Sequence, residues 1–285
     1  MEEKVSPEEK KKRMIAYMGQ FPCTKKDVVY AHHSGVDLLA TVYAPIQRPN
    51  HLMPAVIYVH GGGFVGGDRD HFEGTATMLT KDNFVGICIA YRFAKMHPFP
   101  AAVQDVKAAI RYVRKNASLL GVDPNRIAIC GSSAGGNLAA MGAYASGEPA
   151  FDVDSDKEIS DVIQVAILYC GIYDFCPPIN KMVNIREARN LYLGGEWPAQ
   201  EATYKKASPV NYVKKGSCPT LLLHGDADGT VDFVQSTHLQ KVLQENGVTV
   251  ELKIASGEGH KAYDFLKPHF DIANQQTRDF LLKYL

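Results

Sequence analysis

The sequence predicts an α/β fold in which a mostly parallel sheet is covered by helices on both faces. We interpret six short apolar runs as continuous rather than alternating, a pattern typical of strands buried on both faces. Helical apolar patterns lie between these runs, and strands that alternate with helices favour a parallel sheet. The 285 residues are 46% hydrophobic and 22% charged, which suits a globular protein and argues against a disordered or fibrous one.

The first predicted element is an N-terminal helix. Ser6 suits an N-cap, Pro7 suits the first helical position, and Glu9 completes a capping box. We interpret residues 1–22 as a helical arm. Two interpretations of this arm stay open at this point: it packs on the body of the protein, or it forms a short flap over a substrate pocket.

An antiparallel hairpin is predicted next, because alternating runs over 27–31 and 38–44 flank Ser34 and Gly35. The runs that we interpret as continuous and apolar predict the buried strands, over residues 55–59, 85–90, 127–130, 165–169, 220–223 and 250–254. Apolar residues at helical spacing predict the main helices, over residues 101–120, 233–246 and 271–285.

The stretch 175–216 separates two of the predicted buried strands and is long for a connection inside an α/β core. It contains Pro177–Pro178, a helical pattern over 185–193 and the only tryptophan, Trp197. We therefore expect a small cap-like insertion within one domain, 1–285, rather than a second domain.

The charge balance and the cysteines limit the function classes. Lys and Arg number 31, as do Asp and Glu, so no basic field favours nucleic acid or an acidic membrane, and we expect neither partner. The six cysteines form no CxxC pair and are expected to be reduced thiols, most of them buried. The N-terminus lacks a signal-peptide core and no run of about 18 apolar residues exists, so a cytoplasmic location is predicted.

The first chemical motif is the Gly-x-Ser-x-Gly segment Gly131–Gly135. It directly follows the strand predicted over 127–130 and precedes a helical run. A strand, a tight turn and a helix are the setting of a nucleophile elbow, which exposes the serine oxygen at a helix N-terminus where partial positive charge stabilises an anion. The spacing selects Ser133 rather than Ser132 as the nucleophile.

A glycine-rich segment, His60–Phe64, follows the strand predicted over 55–59. Three successive glycines leave backbone N–H groups free to point at one spot, as an oxyanion hole requires. A phosphate-binding loop is the alternative, but it would need Gly-Lys-Ser/Thr where this chain has Val65–Asp68. We expect an oxyanion loop, and we interpret His60 as a residue that braces it.

A serine nucleophile needs a histidine base and an acid that orients this base, in the chain order Ser, acid, His. His260 lies in a loop after the last predicted strand, which is the place expected for the base. His224 ends a strand and is interpreted as a loop support. The acid stays open, because loop position does not separate the three candidates that follow the strand over 220–223: Asp226, Asp228 and Asp232.

The chain resembles the hormone-sensitive-lipase-like branch of the α/β-hydrolase esterases. The segments that carry the resemblance span residues 55–265: His60–Phe64, Tyr91–Ala102, Gly131–Leu138, His224–Asp228 and Gly259–His260. The resemblance implies an α/β-hydrolase fold and the hydrolysis of esters of small acyl groups without a cofactor. The spacing from Gly194–Gly195 to Ala207–Val210 is similar to that of acetyl-xylan-esterase-like and kynurenine-formamidase-like relatives.

Position by position, the resemblance implies Ser133 as nucleophile, Asp228 as acid and His260 as base. The acid is taken from the Asp-x-x-x-Asp pattern of the family, in which the first Asp is the catalytic one. The resemblance also implies three backbone oxyanion donors: the N–H groups of Gly62, Gly63 and Ala134. Ser132 departs from the family, which usually has Asp before the nucleophile, and this departure bears on the substrate rather than on the chemistry.

These residues together predict a serine carboxylesterase for small, soluble esters with acetyl to butyryl groups, acting through an acyl-enzyme. No cofactor or metal is expected, because the adjacent pair His32–His33 has no spaced Cys or carboxylate partners. Four aromatic residues are candidates for an acyl pocket, although packing in the core explains each of them equally well: Tyr173, Phe175, Trp197 and Tyr263.

Several alternatives are weighed against this reading. An amidase or formamidase of the kynurenine-formamidase type would use the same machinery, and so would an acetyl-xylan or other carbohydrate deacetylase. A peptidase of the prolyl-oligopeptidase type would normally carry a further domain. A binding module would lack a member of the triad. A homodimer through an exposed edge strand is compatible with the predicted fold.

Overall fold

An eight-stranded sheet forms the centre of the computed structural model, which describes residues 5–152, 156, 158–178 and 185–285. The strands are β1 (Cys23–His33), β2 (Val36–Pro45), β3 (Met53–Val59), β4 (Val85–Ile89), β5 (Val122–Ser132), β6 (Val165–Tyr169), β7 (Thr220–Gly225) and β8 (Val250–Ala255). Their order in the sheet is β1-β2-β4-β3-β5-β6-β7-β8. β2 pairs antiparallel with β1 and with β4, and all other pairs are parallel. The predicted fold class is confirmed.

The α-helices of the described residues are α1 (Pro7–Met18), α2 (Glu73–Leu79), α3 (Ala101–Lys115), α4 (Ala117–Leu120), α5 (Ala134–Tyr144), α6 (Arg186–Leu193), α7 (Glu201–Lys206), α8 (Val234–Glu245) and α9 (His269–Tyr284). Short 3₁₀ turns cover Arg69–Phe72, Thr80–Asp82, Pro149–Phe151 and Pro209–Tyr212. The predicted N-cap is present, because the Ser6 side chain accepts a hydrogen bond from the Glu9 N–H at 3.2 Å.

The apolar core lies in two layers, one on each face of the sheet. Along β3, Ile57 and Val59 belong to one layer and Val56 and Tyr58 to the other, and all seven residues of the strand are buried. Helices α3, α5 and α8 contribute to the first layer, whereas α2 and α9 contribute to the second. Burial on both faces explains why the strand sequences are continuously apolar.

Two predicted elements differ from those observed. The helix expected over 101–120 divides at Asn116, whose side chain donates a hydrogen bond to the Tyr112 carbonyl oxygen at 2.9 Å, so that α3 ends and α4 begins there. The strand expected to be buried at 250–254 is β8, which lies at the edge of the sheet and leaves Ile254 51% exposed. The sequence of this stretch, Val-Glu-Leu-Lys-Ile, alternates and contains two charged residues, so its interpretation as a continuous apolar run was wrong. Only Val250 and Leu252 pack against the core, as suits an edge strand with one solvated side.

The hairpin and the thiols agree with the sequence. Ser34 and Gly35 both have positive φ, 51° and 76°, as a tight hairpin turn requires. All six cysteines are free. In the part of the chain that the structure describes, no helix combines the length and the apolar character needed to cross a membrane. The cytoplasmic location stays a prediction.

Candidate active site

The serine predicted as nucleophile lies in a strained turn between β5 and α5. Ser133 has φ 56° and ψ −120°, which a non-glycine residue adopts rarely. The neighbouring glycines are required by close backbone contacts. A Cβ on Gly131 would lie 2.1 Å from the Gly135 carbonyl oxygen, and a Cβ on Gly135 would lie 2.2 Å from the Val59 carbonyl oxygen. Tight packing of the turn against β3 therefore holds the serine above the carboxyl end of the sheet.

A hydrogen-bonded array joins Ser133, His260 and Asp228. His260 Nε2 lies 2.9 Å from Ser133 Oγ, and His260 Nδ1 lies 2.6 Å from Asp228 Oδ2. A carboxylate only accepts hydrogen bonds, so Nδ1 carries the hydrogen and Nε2 is free to accept the serine proton. The structure thus brings together the three side chains that the sequence resemblance had grouped.

The other two acid candidates have different partners. Asp226 accepts a hydrogen bond from the Gly257 N–H at 2.6 Å, and Asp232 accepts one from the Val234 N–H at 3.0 Å, next to the start of α8. Neither contact leads to His260. Among the three aspartates that loop position left open, Asp228 is the one whose carboxylate meets the imidazole.

Four donors surround the Asp228 carboxylate. Oδ1 accepts from the N–H groups of Thr230 at 2.7 Å and Val231 at 2.9 Å, while Oδ2 faces His260 Nδ1 at 2.6 Å and His224 Nε2 at 3.1 Å. Burial raises the pKa of the Asp228 carboxyl, but the hydrogen bonds from the two histidines outweigh burial and hold this pKa well below its usual range. Asp228 is therefore ionised throughout the neutral pH range.

The electrostatics of His260 follow from this carboxylate. Burial lowers the pKa of His260, whereas the hydrogen bond to Asp228 raises it, and the net shift is upward. The imidazolium that forms when His260 takes a proton is therefore stabilised. His260 is partly accessible, with 20% of its side chain exposed, and Asp228 is fully buried. A buried anion behind a reachable imidazole is the arrangement that a general base requires.

The glycine-rich segment lies against the serine turn. A Cβ on Gly61 would be 3.3 Å from the Ser133 Cβ, and one on Gly62, where φ is 125°, would be 2.1 Å from the Gly66 carbonyl oxygen. Gly63 also has positive φ, 62°. This backbone path suits glycine, and it begins at Gly61, which lies against the serine turn.

The third predicted oxyanion donor is the N–H of Ala134. Ala134 is the first residue of α5, so its N–H has no acceptor within the helix and points out of the helix N-terminus. No backbone oxygen of the described residues accepts from the N–H of Gly62 or Gly63 either. Unpaired donors that converge beside the nucleophile are what a developing oxyanion needs, and the assignment of these three N–H groups to that role stays a prediction.

His60 braces the glycine-rich segment, in agreement with its interpretation from the sequence. Its Nδ1–H donates to the Gly61 carbonyl oxygen at 2.7 Å, and its ring stacks on Tyr91 with centroids 4.3 Å apart. Burial lowers the pKa of His60 to about 4, so the imidazole is neutral at pH 7. These contacts are to Gly61 and Tyr91 and not to Ser133, which supports a structural role.

A cavity of about 540 Å³ opens beside the triad. It reaches His260, Ser132 and Cys170, and one of its walls is α1, through residues that include Met14 and Met18. The arm therefore both packs on the body, where it meets α2, and lines the cavity. Both interpretations of the arm that the sequence left open thus apply. Helix α1 contacts the body of the protein although none of its residues is buried.

One of the four aromatic pocket candidates faces this cavity. Tyr263 lines the cavity. Tyr173 and Phe175 are completely buried in the core. The ring of Trp197 packs edge-on against that of Tyr204, with ring centroids 5.8 Å apart. The tertiary position of an aromatic residue depends on which element covers it, and the sequence pattern does not contain that information.

The cap-like insertion is described over 175–178 and 185–216, and residues 179–184 lie outside the described residues. Its helix α6 lies over the glycine-rich segment. The ring of Tyr192 stacks on Phe64 with centroids 3.8 Å apart and planes 6° from parallel. A Cβ on Gly63 would lie 3.5 Å from the Ala188 Cβ. The insertion thus supports the loop that carries Gly62 and Gly63, two of the predicted oxyanion donors.

One neighbour of the triad was missed by the sequence analysis. Cys170 follows β6 with φ 38°, and its Sγ lies 3.9 Å from Ser132 Oγ and 3.7 Å from the His260 carbonyl oxygen. The sequence shows it only as the end of an apolar run. Within the described ranges, the one group of potential metal ligands that lie close together is Cys170, Asp228 and His260, which is this thiol with the acid and base of the triad.

The strand order, the strained serine and the Ser–His–Asp array define an α/β-hydrolase fold that carries the side chains of a serine-hydrolase triad. Residues 41–243 match the family model described as BD-FAE. Because this match takes in well over half of the chain, the chain belongs to the BD-FAE family.

Curated relatives carry esterase names. The chain is 27% identical to Esterase LipQ of Mycobacterium tuberculosis over 251 residues, which are 86% of this chain and 58% of that protein. It is 27% identical to ethyl acetate hydrolase of Pseudomonas putida over 273 residues, which are 91% of this chain and 81% of that protein. The chain spans 50% to 58% of the length of LipQ and of two further Mycobacterium tuberculosis relatives, LipC and LipM.

Solved structures show the same fold. The esterase Est2 of the planctomycete Thermogutta terrifontis, with butyrate bound, aligns with a TM-score of 0.79 at 27% identity. The alignment covers 91% of this chain and 94% of that one. The resemblance to the α/β-hydrolase esterases stated from the sequence is confirmed by these relatives.

Proposed function

We propose that this chain is a serine carboxylesterase that hydrolyses small, soluble esters with acetyl to butyryl groups. The observation that carries the proposal is the array in which Ser133 Oγ lies 2.9 Å from His260 Nε2 and His260 Nδ1 lies 2.6 Å from Asp228 Oδ2. A serine in hydrogen-bond contact with an oriented imidazole, beside unpaired backbone donors, is equipped for acyl transfer.

Acylation is the first half of the proposed reaction. Ser133 Oγ attacks the carbonyl carbon of the ester while His260 Nε2 takes the serine proton. Asp228 stabilises the imidazolium, and the oxyanion is stabilised by the three backbone donors: the N–H groups of Gly62, Gly63 and Ala134. The tetrahedral intermediate then breaks the bond to the alcohol oxygen, which leaves with the proton from His260, and an acyl ester of Ser133 remains.

Deacylation repeats these steps with water. His260 takes a proton from a water molecule whose oxygen attacks the acyl carbon of Ser133. The second tetrahedral intermediate uses the same backbone donors. Its collapse releases the carboxylic acid and returns the proton from His260 to Ser133 Oγ. Every proton and leaving group is accounted for by side chains of the array, so the proposed reaction uses no cofactor.

The short acyl range rests on the relatives and on the cavity. One relative is named as an ethyl acetate hydrolase, and the Thermogutta terrifontis esterase has been solved with butyrate and with propionate. In this chain, the cavity beside His260 is lined in part by Met14, Phe72 and Phe265, which suit a short apolar acyl group. These observations support acetyl to butyryl esters as substrates.

The proposal is tested with p-nitrophenyl acetate, butyrate, octanoate and laurate on the native protein. We expect kcat/KM to be highest for acetate or butyrate and to fall at least about tenfold by octanoate, since a pocket of fixed length discriminates against added methylenes by such factors. A preference for laurate would contradict the short acyl range but keep the esterase. The absence of turnover on all four esters would contradict the esterase and favour an amidase or formamidase.

The cavity wall formed by α1 provides a second expectation. Met14 is seated against α2, where a Cβ on Gly74 would lie 3.2 Å from its Sδ. Met14→Trp should fill part of the cavity and lower the ratio of kcat/KM for p-nitrophenyl butyrate to that for acetate by about tenfold. The control is Ala16→Trp, which places the same ring on an exposed position of α1 outside the cavity lining. Equal losses on both esters would show that the cavity does not hold the acyl chain.

A further inference from the structure

We propose that His224 is a positioning residue that holds Asp228, and through it His260, in the reaction proposed above. His224 is the fifth residue of β7 and is completely buried. Its Nε2 lies 3.1 Å from Asp228 Oδ2 and 3.0 Å from the Val231 carbonyl oxygen. The inference rests on the proposed esterase function and concerns a histidine that does not touch the substrate or the nucleophile.

The contacts of His224 determine its tautomer. The two neighbours of Nε2 are a carboxylate oxygen and a carbonyl oxygen, which only accept, so Nε2 carries the hydrogen and shares it between them. In the neutral imidazole with its hydrogen on Nε2, Nδ1 is the acceptor, so the Ser236 hydroxyl, whose Oγ lies 2.7 Å away, donates to it. Ser236 belongs to α8 and is completely buried. The ring of Phe233 packs edge-on against the His224 imidazole, with ring centroids 5.6 Å apart. The imidazole is thus fixed in both orientation and tautomer.

This fixed imidazole locates one oxygen of the catalytic acid. The backbone N–H groups of Thr230 and Val231 hold Asp228 Oδ1, and His224 holds Oδ2. Oδ2 therefore serves two imidazoles, His224 and His260. Because one oxygen divides its accepting capacity between two donors, His224 also limits how strongly Asp228 binds the hydrogen of His260 Nδ1.

The titratable groups near His224 and His260 are not altered by a substitution of His224. Asp228 and Cys170 are the titratable groups that meet His260, from the loop after β7 and from the end of β6. Tyr263 contacts the backbone of His224, and burial raises the pKa of its hydroxyl so that it stays neutral at pH 7. A change in the titration of His260 in a His224 variant therefore reports the lost contact to Asp228.

Two substitutions separate the hydrogen bond from the volume of the ring. His224→Leu fills much of the space without a donor, whereas the side-chain amide of His224→Gln can place an N–H near the position of Nε2. With p-nitrophenyl acetate, we expect His224→Leu to lower kcat about 10-fold to 100-fold, the size of effect expected for a hydrogen bond to a charged group. KM should change less than about twofold because His224 does not touch the substrate. His224→Gln should recover most of the loss.

The pH profile gives a readout that a merely structural role would not move. His260 acts as a base only when it is unprotonated, so kcat/KM rises with pH through its pKa. Without His224, Oδ2 binds the hydrogen of His260 more strongly and raises that pKa. The acid limb of kcat/KM should therefore shift to higher pH in His224→Leu and stay near the native position in His224→Gln.

An NMR titration of the His260 imidazole nitrogens keeps this test independent of turnover, and thermal unfolding checks that each variant is folded. The proposal is overturned if folded His224→Leu keeps native kcat and native His260 titration. It is also overturned if activity falls without a titration shift and without recovery in His224→Gln. If His224→Leu does not fold, Ser236→Ala replaces it as the test, because this substitution removes the hydrogen-bond partner of His224 Nδ1. We then expect a smaller upward shift of the pKa of His260, and an unchanged titration of His260 overturns the proposal. A chain that hydrolyses no ester but shows the titration shift contradicts the function and not the positioning.

Discussion

Replacing Ser133 with alanine is expected to lower kcat/KM for p-nitrophenyl acetate by about 10⁶-fold, the loss expected when the nucleophile of a serine triad is removed. Alanine lacks the Oγ that lies 2.9 Å from His260 Nε2, so no acyl-enzyme can form. The backbone donors and His260 stay in place and support only the slow direct attack of water. Initial rates on the purified native and variant proteins measure the effect.

The neighbouring serine provides a matched control for this experiment. Ser132 Oγ lies near Cys170 Sγ, at 3.9 Å, and its nearest described partner is not the catalytic imidazole. Ser132→Ala should therefore keep at least about a tenth of the native rate, since it loses only a weak contact to sulfur. Far-UV and near-UV circular dichroism should match the native protein for both variants. A large loss in Ser132→Ala together with an active Ser133→Ala would reverse the assignment of the nucleophile.

Replacing Asp105 with alanine is expected to lower the free energy of unfolding by about 3–5 kcal/mol, the cost of removing one partner of a buried ion pair. Asp105 is completely buried in α3 and accepts from Arg92 at its backbone N–H, Nε and Nη2, between 2.7 and 3.0 Å. Its Oδ1 also meets His33 Nδ1 at 2.8 Å. Without the carboxylate, a buried guanidinium loses its counter-ion.

The chain contains a matched pair that is exposed. His32 Nδ1 lies 2.6 Å from Asp37 Oδ1, but the side chains are 66% and 63% exposed. Asp37→Ala should change the free energy of unfolding by less than about 1 kcal/mol, because water solvates both groups after the pair is broken. Urea unfolding followed by circular dichroism measures both variants. Similar losses for Asp37→Ala and Asp105→Ala would show that burial does not set the strength of the Asp105 cluster.

Much of the fold could be predicted because burial leaves a direct mark on strand sequences. The continuous apolar run at 165–169 coincides with β6, which is covered on both faces. The burial of β8 was overestimated because Glu251 and Lys253 alternate with the apolar residues of this strand, a pattern typical of a partly solvated strand rather than of one buried on both faces. The division of the helix at Asn116 depends on one side-chain hydrogen bond, which apolar spacing does not report.

Some residues of the candidate site could likewise be predicted from short motifs, whereas others depend on tertiary contacts. Ser133 and His260 follow from short motifs, because the strained turn needs flanking glycines and the base follows the last strand. The acid could not be separated by position. The structure distinguishes Asp228 from Asp226 and Asp232 only through the direction of each carboxylate in one loop. The contribution of α1 to the cavity depends on contacts with elements more than 50 residues away, such as α2.

The sequence separation between the groups of the triad has a consequence for the folding chain. Ser133 and His260 are 127 residues apart, and His260 and Asp228 are 32 residues apart. Contacts of such high sequence separation form late, because the entropy of closing long loops opposes them until the intervening structure is in place. The base is also synthesised after the strand that carries the nucleophile, because His260 follows Ser133 along the chain. A nascent or half-folded chain therefore exposes a serine without its base, and the reactive centre exists only once the parallel sheet is complete.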